Sequence, residues 1–326
     1  MDVSFSVICL TYNSDVTKTL TTLNSVINQK DCDFELIIAD DGSKENNVDV
    51  IERYLRSKKF VNYKIKANKV NQGIIGNYLS AIELANGRYI KYISLGDYLY
   101  DEFTLNKCLN FMHQYHAELA FGKALYYSNE NDKLEILTQK NPVFTEIYDI
   151  NNNDYDFEIV LKNLILWQDG ILGAAVIADR VVFQKYLREI FGKVKYIEDN
   201  TIMPLATLDK KRIYFFDEYI LWYECDSGIS TNTNRGFKEK IHMDFFKCYE
   251  YLKTKDCKNK NIKLAYLKQK YSVQKQRFLL FCIKRILDIF YGRLVHKYHY
   301  SKKRREYVLS LYSEKNWYKW QDVDWR

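Results

Sequence analysis

No two cysteines fall at C-x-x-C spacing. The seven present, at positions 9, 32, 108, 225, 248, 257 and 282, form an odd and unpatterned set. That excludes a disulfide framework and a zinc ribbon and fits a reducing, cytoplasmic compartment. No uninterrupted apolar run approaches the roughly 18 residues that span a bilayer. The opening Met1-Asp2-Val3-Ser4-Phe5-Ser6-Val7-Ile8 enters a strand pattern at once, without the basic region and long apolar stretch of a signal peptide. The expectation is a soluble or peripheral protein without internal repeats. Proline is scarce at two residues and tyrosine plentiful at 28, but both read as compositional bias and carry no functional conclusion. What is present, 326 residues with 47% hydrophobic content, suffices for one large domain with an appendage or for two smaller domains, and excludes disorder.

The net charge of +7 is unevenly placed. Residues 238–305 carry 20 Lys and Arg against five Asp and Glu, whereas the portion before them is mildly acidic. A basic segment joined to an acidic domain suits contact with an anionic partner: a membrane surface, a lipid diphosphate or nucleic acid.

Residues 4–10 form a short apolar run closed by Thr11-Tyr12-Asn13, and Phe34–Ala39 form a second closed by Asp40-Asp41-Gly42-Ser43. Both read as buried strands ending in polar loops. Helical spacing follows each, over 16–29 and about 46–57. The alternation continues with a strand near 63–67, a loop over 68–76, a helix over about 77–86 and a strand from Gly87 to Ser94 that leads to Gly96-Asp97. It predicts an α/β fold with a doubly wound, mostly parallel sheet, whose ligands bind outside the carboxyl ends of the strands. Beyond it the pattern predicts a strand over 118–128, loops over 129–160, a strand over 171–178, helices over about 180–191 and 200–208, and two strands at 212–216 and 220–223. From about 238 the periodicity is helical, so the expected division is a domain over 1–235 and a basic, mostly helical region over 236–326.

Three carboxylate clusters carry the chemistry, and each has a bland reading. Asp97 after a buried strand suits a metal ligand, yet Gly-Asp is also an ordinary turn. Asp40-Asp41-Gly42 suits a hydrogen-bond acceptor for a base or a ribose, with Tyr12 able to stack and the backbone at Leu10 and Thr11 able to bond the base edge, yet Asp-Gly is a common turn as well. Glu198-Asp199 at the head of a helix suits a general base or simple capping.

Taken together the segments say more. Val7-Ile8-Cys9-Leu10-Thr11-Tyr12-Asn13, then Glu35 through Ser43, Asn71-Gln72-Gly73, Gly87 through Asp97, and Glu198-Asp199 resemble, in order and spacing over about residues 3–230, the inverting family 2 glycosyltransferases of the GT-A fold. The resemblance implies transfer of a sugar from a nucleoside-diphosphate donor, a UDP-sugar above all, to a glycan or lipid-linked oligosaccharide acceptor in surface polysaccharide synthesis. By position it implies donor contacts from Leu10, Thr11, Tyr12, Asp41, Asn71, Gly96 and Asp97, with Mn2+ or Mg2+ at Asp97. It makes Asp199 the catalytic base, with Glu198 and Asp40 in support, and matches Tyr223 through Ser230 to a segment that closes over the donor. Two departures stand out. Ser94-Leu95-Gly96-Asp97 retains one carboxylate where the family commonly has three, and Tyr78-Leu79 stand where an Arg-Asn pair often follows the Asn-x-Gly element.

Residues 275–297 spread apolar side chains around a wide sector, so a helix there either packs on the domain or lies in a membrane interface. Lys302 through Arg305 and Trp317, Trp320 and Trp325 add to the second reading and to the inner face of the cell membrane as a place of contact. Two rivals remain: a catalytically silent nucleotide-sugar-binding protein, suggested by the reduced metal motif, and a nucleic-acid-binding protein using the basic region. The latter leaves the N-terminal motifs unexplained, so nucleic acid is not an expected partner. The transferase reading requires Asp41, Asp97 and Asp199 to face a single crevice.

Overall fold

A computed structural model of the chain describes residues 3–130, 133–137, 142, 144–225 and 235–274. Its first half alternates as the apolar runs require: β1 (Phe5–Thr11), α1 (Val16–Ile27), β2 (Phe34–Asp40), α2 (Val48–Ser57), β3 (Tyr63–Ala67), α3 (Gly73–Ile82) and β4 (Tyr89–Ser94). These strands lie parallel in the order β3-β2-β1-β4. Helices cover both faces, so both sides of β1 and β2 are mostly apolar. Ile37 and Ala39 point into the layer that holds α3, whereas Leu36 and Ile38 point to the layer of α1 and α2. That two-sided burial explains the largely apolar runs.

The second half comprises β5 (Tyr98–Leu99), α4 (Thr104–Gln114), β6 (Leu119–Glu130), β7 (Lys133–Ile136), α5 (Phe157–Lys162), β8 (Val176–Asp179), α6 (Arg180–Ile190), α7 (Glu198–Leu208), β9 (Ile213–Glu224), α8 (Arg235–Lys255) and α9 (Lys260–Gln274). Its strands extend the sheet as β4-β8-β6-β9-β5, with β7 beside β6. Here β8 runs antiparallel to both neighbours while β6 and β9 are parallel.

Several expectations change in detail. The apolar run 171–178 is a strand only from Val176, because Gly173–Ala175 turn through a 3-10 helix. The two strands expected over 212–223 are one strand, bent where its register against Gly122–Ala124 shifts. The stretch 129–160 is not all loop, since it contains β7, a 3-10 turn over Thr145–Tyr148 and α5.

Helices α8 and α9 join the main core. Cys248, Tyr249, Leu252, Ile262 and Ala265 are buried in the same cluster as Ile8, Ile37 and Met203. Each such aliphatic side chain contributes about 2 kcal/mol on removal from water. A local defect helps the docking: Pro204 inside α7 cannot donate to the Asn200 carbonyl, and the Cys248 thiol of α8 faces that oxygen at 3.8 Å. No described helix is long and apolar enough to cross a membrane. The apolar segment expected over 275–297, the Lys302–Arg305 run and the late tryptophans lie outside the described residues.

One buried carboxylate ties the parallel strands together. Glu35 of β2 accepts from Ser6 Oγ of β1 and Lys64 Nζ of β3, each at 2.7 Å, and from the Asn86 N–H ahead of β4 at 2.5 Å. Burial pushes its carboxyl up, but Lys64, Asn86 and Ser6 together hold it below the ordinary range. With the folded pKa depressed, its contribution is complete above the unfolded value of about 4.3 and is lost as pH falls through the folded value. Glu35→Gln is therefore expected to lower the unfolding free energy by about 2 kcal/mol at pH 7, measured by urea denaturation, with the gap to wild type closing in acid below pH 4.

Candidate active site

The carboxyl ends of β1, β2 and β4 open into a cavity of about 1060 Å³. One wall comes from Leu10, Thr11, Tyr12, Asn13, Asp41, Asn71 and Gly73, and the opposite wall from Gln168, Leu172, Lys195 through Asn200, and Phe237, Lys238, Ile241, His242 and Phe245 of α8. Asp97 and Glu224 lie between them. Asp41, Asp97 and Asp199, 158 positions apart at the extremes of the chain's numbering, thus face one crevice.

Tyr12 leaves the end of β1 with 52% of its surface exposed, a free ring at the rim. Beside it the two aspartates after β2 have different work. Asp40 is turned inward, where its oxygens take the hydroxyls of Thr11 (3.1 Å) and Ser43 (2.6 Å) and the Ser43 N–H (2.8 Å). It holds the loop and does not line the cavity. Asp41 caps α3: Oδ1 accepts from the Gln72 N–H at 2.8 Å and Oδ2 from the Gly73 N–H at 2.9 Å. Burial raises its pKa against these donors. Asn71 caps the same turn, its Oδ1 3.1 Å from the Gly73 nitrogen. Tyr78, at the second departure from the family pattern, is a core residue packed on Tyr92 and Phe183, so no charge could stand there without burial.

Gly96, expected among the donor contacts, stands behind the lining. Its φ of +89° is a left-handed conformation, and a Cβ there would overlap the Glu224 carboxylate. The turn it makes lets Asp97 reach the cavity floor. Asp97 Oδ1 accepts from the Glu224 N–H at 3.0 Å, and Oδ2 is buried without a partner among the described residues. Burial, then the nearby Glu224 carboxylate among the raising effects, brings Asp97 up to about 8. Glu224 itself pairs with Lys18 of α1 at 2.5 Å.

At the head of α7, Glu198 is buried with Oε2 unpartnered, and Asp199 is partly open to the cavity. Asp199 Oδ2 accepts from the Gly173 N–H at 3.0 Å, and Oδ1 from the Asn200 N–H and side-chain amide at 2.7 and 2.8 Å. Burial raises both carboxyls, and the Asp199 charge raises Glu198 further. With three N–H donors Asp199 is the better anion, so Glu198 is the member that keeps a proton. The loop entering α7 is held by Asp244 of α8, whose Oδ2 takes the Lys195 and Tyr196 N–H groups at 2.7 and 2.6 Å. That sets the Tyr196 ring against Phe237, centroids 5.3 Å apart.

A family model described as glycosyl transferase family 2 matches residues 6–191. The chain belongs to glycosyltransferase family 2. An uncharacterized glycosyltransferase of Haemophilus influenzae is 30% identical over 114 residues, 35% of this chain and 44% of that protein. A poly(ribitol-phosphate) beta-glucosyltransferase of Bacillus spizizenii is 25% identical over 205 residues, 62% and 29% of the two chains. The chain therefore spans less than half the length of these relatives. Among solved structures, residues 1–349 of Staphylococcus aureus TarS superimpose with a TM-score of 0.57 at 18% identity, covering 83% of this chain and 72% of that one. The same fragment in complex with UDP-GlcNAc gives 0.57 at 17% identity, covering 95% and 84%. The fold of this family 2 member is that GT-A architecture.

Reasoning from sequence missed Lys18, Lys195, Tyr196, Gln168 and the α8 wall, because each reaches the cavity from an element whose local pattern speaks only of helix or loop. Glu224 fell within the segment singled out after the last strand, most of which lies outside the described residues. Whether a divalent cation suits this floor can be judged from its donors. Among the described residues no three His, Cys, Asp or Glu are grouped to hold a metal. The unpartnered Asp97 Oδ2 nevertheless fits one ligand position, with the remainder left to diphosphate and water.

Keeping Asp97 ionised in that place costs stability. Its pKa rises from an unfolded value near about 3.9 to about 8 when folded, so the folded state gives up stability as pH rises between them. Asp97→Asn is expected to raise the unfolding free energy at pH 8 and to leave it unchanged below pH 4, measured by thermal denaturation across pH without added metal, while abolishing turnover.

Proposed function

We propose that this glycosyltransferase moves a sugar from a UDP-linked donor to an acceptor hydroxyl in a surface glycan or lipid-linked oligosaccharide, with inversion at the anomeric carbon. The observation that carries the reading is a carboxylate, Asp199, braced by three N–H donors and open to the same cavity as Asp97 and the β1–β2 wall. The donor lies along Leu10 to Tyr12 and Asp41, where Tyr12 offers a stacking face and a free lone pair of Asp41 can accept the uracil imide N–H. A UDP-GlcNAc complex of the structurally similar TarS supports a uridine donor.

A divalent cation held by Asp97 would supply charge neutralisation for the departing diphosphate. This chain's own residues do the rest. The acceptor enters over the α8 wall, and Tyr196 and Phe237 offer it aromatic faces. Asp199 takes the proton from its hydroxyl as that oxygen attacks from the side opposite the diphosphate, which inverts the configuration in a single displacement. Glu198, already neutral, keeps a second negative charge away from the attacking oxygen. The basic region over 238–305 supports work at the inner face of a membrane, where lipid-linked acceptors are presented.

Turnover of UDP-, GDP- and dTDP-sugars with manganese tests this. Asp199→Asn is expected to lower kcat by about 10²- to 10⁴-fold with the donor Kd little changed. Donor-induced thermal stabilisation with no turnover of any donor would instead assign a nucleotide-sugar-binding protein. Because burial raises Asp199, the acid limb of kcat against pH should lie above the ordinary carboxylate value of about 3.9. Glu198→Gln, which replaces a group that already carries its proton, should keep kcat within about threefold of wild type; a loss as deep as that of Asp199→Asn would reassign the base.

A further inference from the structure

Lys91 lies in the middle of β4 with none of its surface exposed, and no step above uses it. Burying an ammonium is costly, and burial brings its pKa down to about 8. Its surroundings show what the cation does. β4 and β8 pair only from Tyr89–Lys91 to Ile177–Asp179, and at Lys91 the two strands part. One arm runs on along β4 to Asp97. The other departs through the 3-10 turn to Gly173, whose N–H donates to Asp199. Lys91 Nζ spans the fork, donating to the Tyr92 carbonyl at 2.8 Å on its own arm and to the Ala174 carbonyl on the other. Ala174 is buried, so its oxygen, past the end of the ladder, would otherwise be without a donor. On the far side of the turn there is no slack, because a Cβ on Gly173 would stand 3.1 Å from Asp199 Oδ2.

We propose that Lys91 is a positioning residue that sets the separation of the Asp97 arm from the Asp199 arm, and thereby the aim of the base. The proposal rests on Asp199 acting as that base. Without the Nζ donor the turn relaxes, the Gly173 N–H leaves the carboxylate, and Asp199 swings away from the acceptor oxygen. The UDP-contacting residues Leu10 to Tyr12 and Asp41 belong to β1 and the loop after β2, and are not disturbed.

The test is Lys91→Met, which keeps most of the length of the side chain and removes its donors. Expected are a kcat lowered by about 10²-fold, a UDP Kd within about threefold of wild type, and an acid limb of kcat displaced to higher pH as Asp199 loses a donor. Of the titratable groups around Asp199, Glu198, with Asp244 of α8 beside it, and Tyr92 are the same in both proteins, whereas Asp97 loses the lowering influence of the Lys91 charge, an effect that Gly173→Ala does not share. A folded Lys91→Met enzyme with wild-type kcat and acid limb overturns the proposal. If that variant does not fold, Lys91→Gln is measured the same way and read by the same two outcomes. A double-mutant cycle with Gly173→Ala asks whether both act through one turn: combined losses smaller than the product of the single ones are expected, and fully multiplicative losses overturn it. The result for Asp199→Asn is read separately, so a failure of the base assignment is distinguishable from a failure of this one.

Discussion

Negative charge held out of water is the constraint on which the cavity depends. Carboxyls crowd one concavity, Asp41, Asp97, Glu198 and Asp199 among them, and they cannot all be bare anions there. Each meets the difficulty differently. Asp41 spends its oxygens on the leading N–H groups of α3. Asp199 gathers three donors from Gly173 and Asn200 and remains the anion. Glu198, with an unpartnered oxygen, keeps its proton, and Asp97 is left half satisfied. One functional group thus appears as a helix cap, a donor-rich anion, a protonated neighbour and a half-satisfied carboxyl, and environment alone separates them.

The fold supplies these environments through strand ends. The parallel half delivers Asp41 and Asp97 at the carboxyl edges of β2 and β4, as a sheet covered on both faces must. The antiparallel half, diverging from β4 at Lys91, brings α7 and Asp199 to face them. Helix α8 then closes the opposite wall of the cavity, held by its buried Asp244 and by Cys248, Tyr249 and Leu252 in the main core. It lies beyond the 6–191 stretch that the family model matches, as does the head of α7.

Much of this was legible in sequence, for physical reasons. β1, β2 and β4 are buried on both faces and so read as largely apolar runs despite Ser6, Glu35 and Lys91 within them, with Asp41 and Asp97 following β2 and β4 and Asp199 at the head of α7. The run 171–178 deceived, because eight apolar residues carry no period with which to tell a strand from a turn. Lys91 was overlooked although a lysine inside Tyr-Ile-Lys-Tyr-Ile is a visible anomaly; its partner Ala174 is 83 positions away, and no local pattern announces such a contact. The same holds for Asp244, which meets Lys195 and Tyr196 across nearly 50 positions. Gly96 was read as a contact residue when its importance is conformational.

The capping of α3 has a consequence for the diphosphate. Amide groups at the head of a helix commonly cradle phosphate oxygens, but here Asp41 already fills that cradle with a carboxylate of its own. The plug repels a second anion, and the Tyr78 position, sealed in the core, offers no arginine in exchange. For the proposed donor, countercharge for the pyrophosphoryl group would have to come with the ligand or from the lysines at the rim, and affinity would then follow the ionic composition of the medium rather than the backbone.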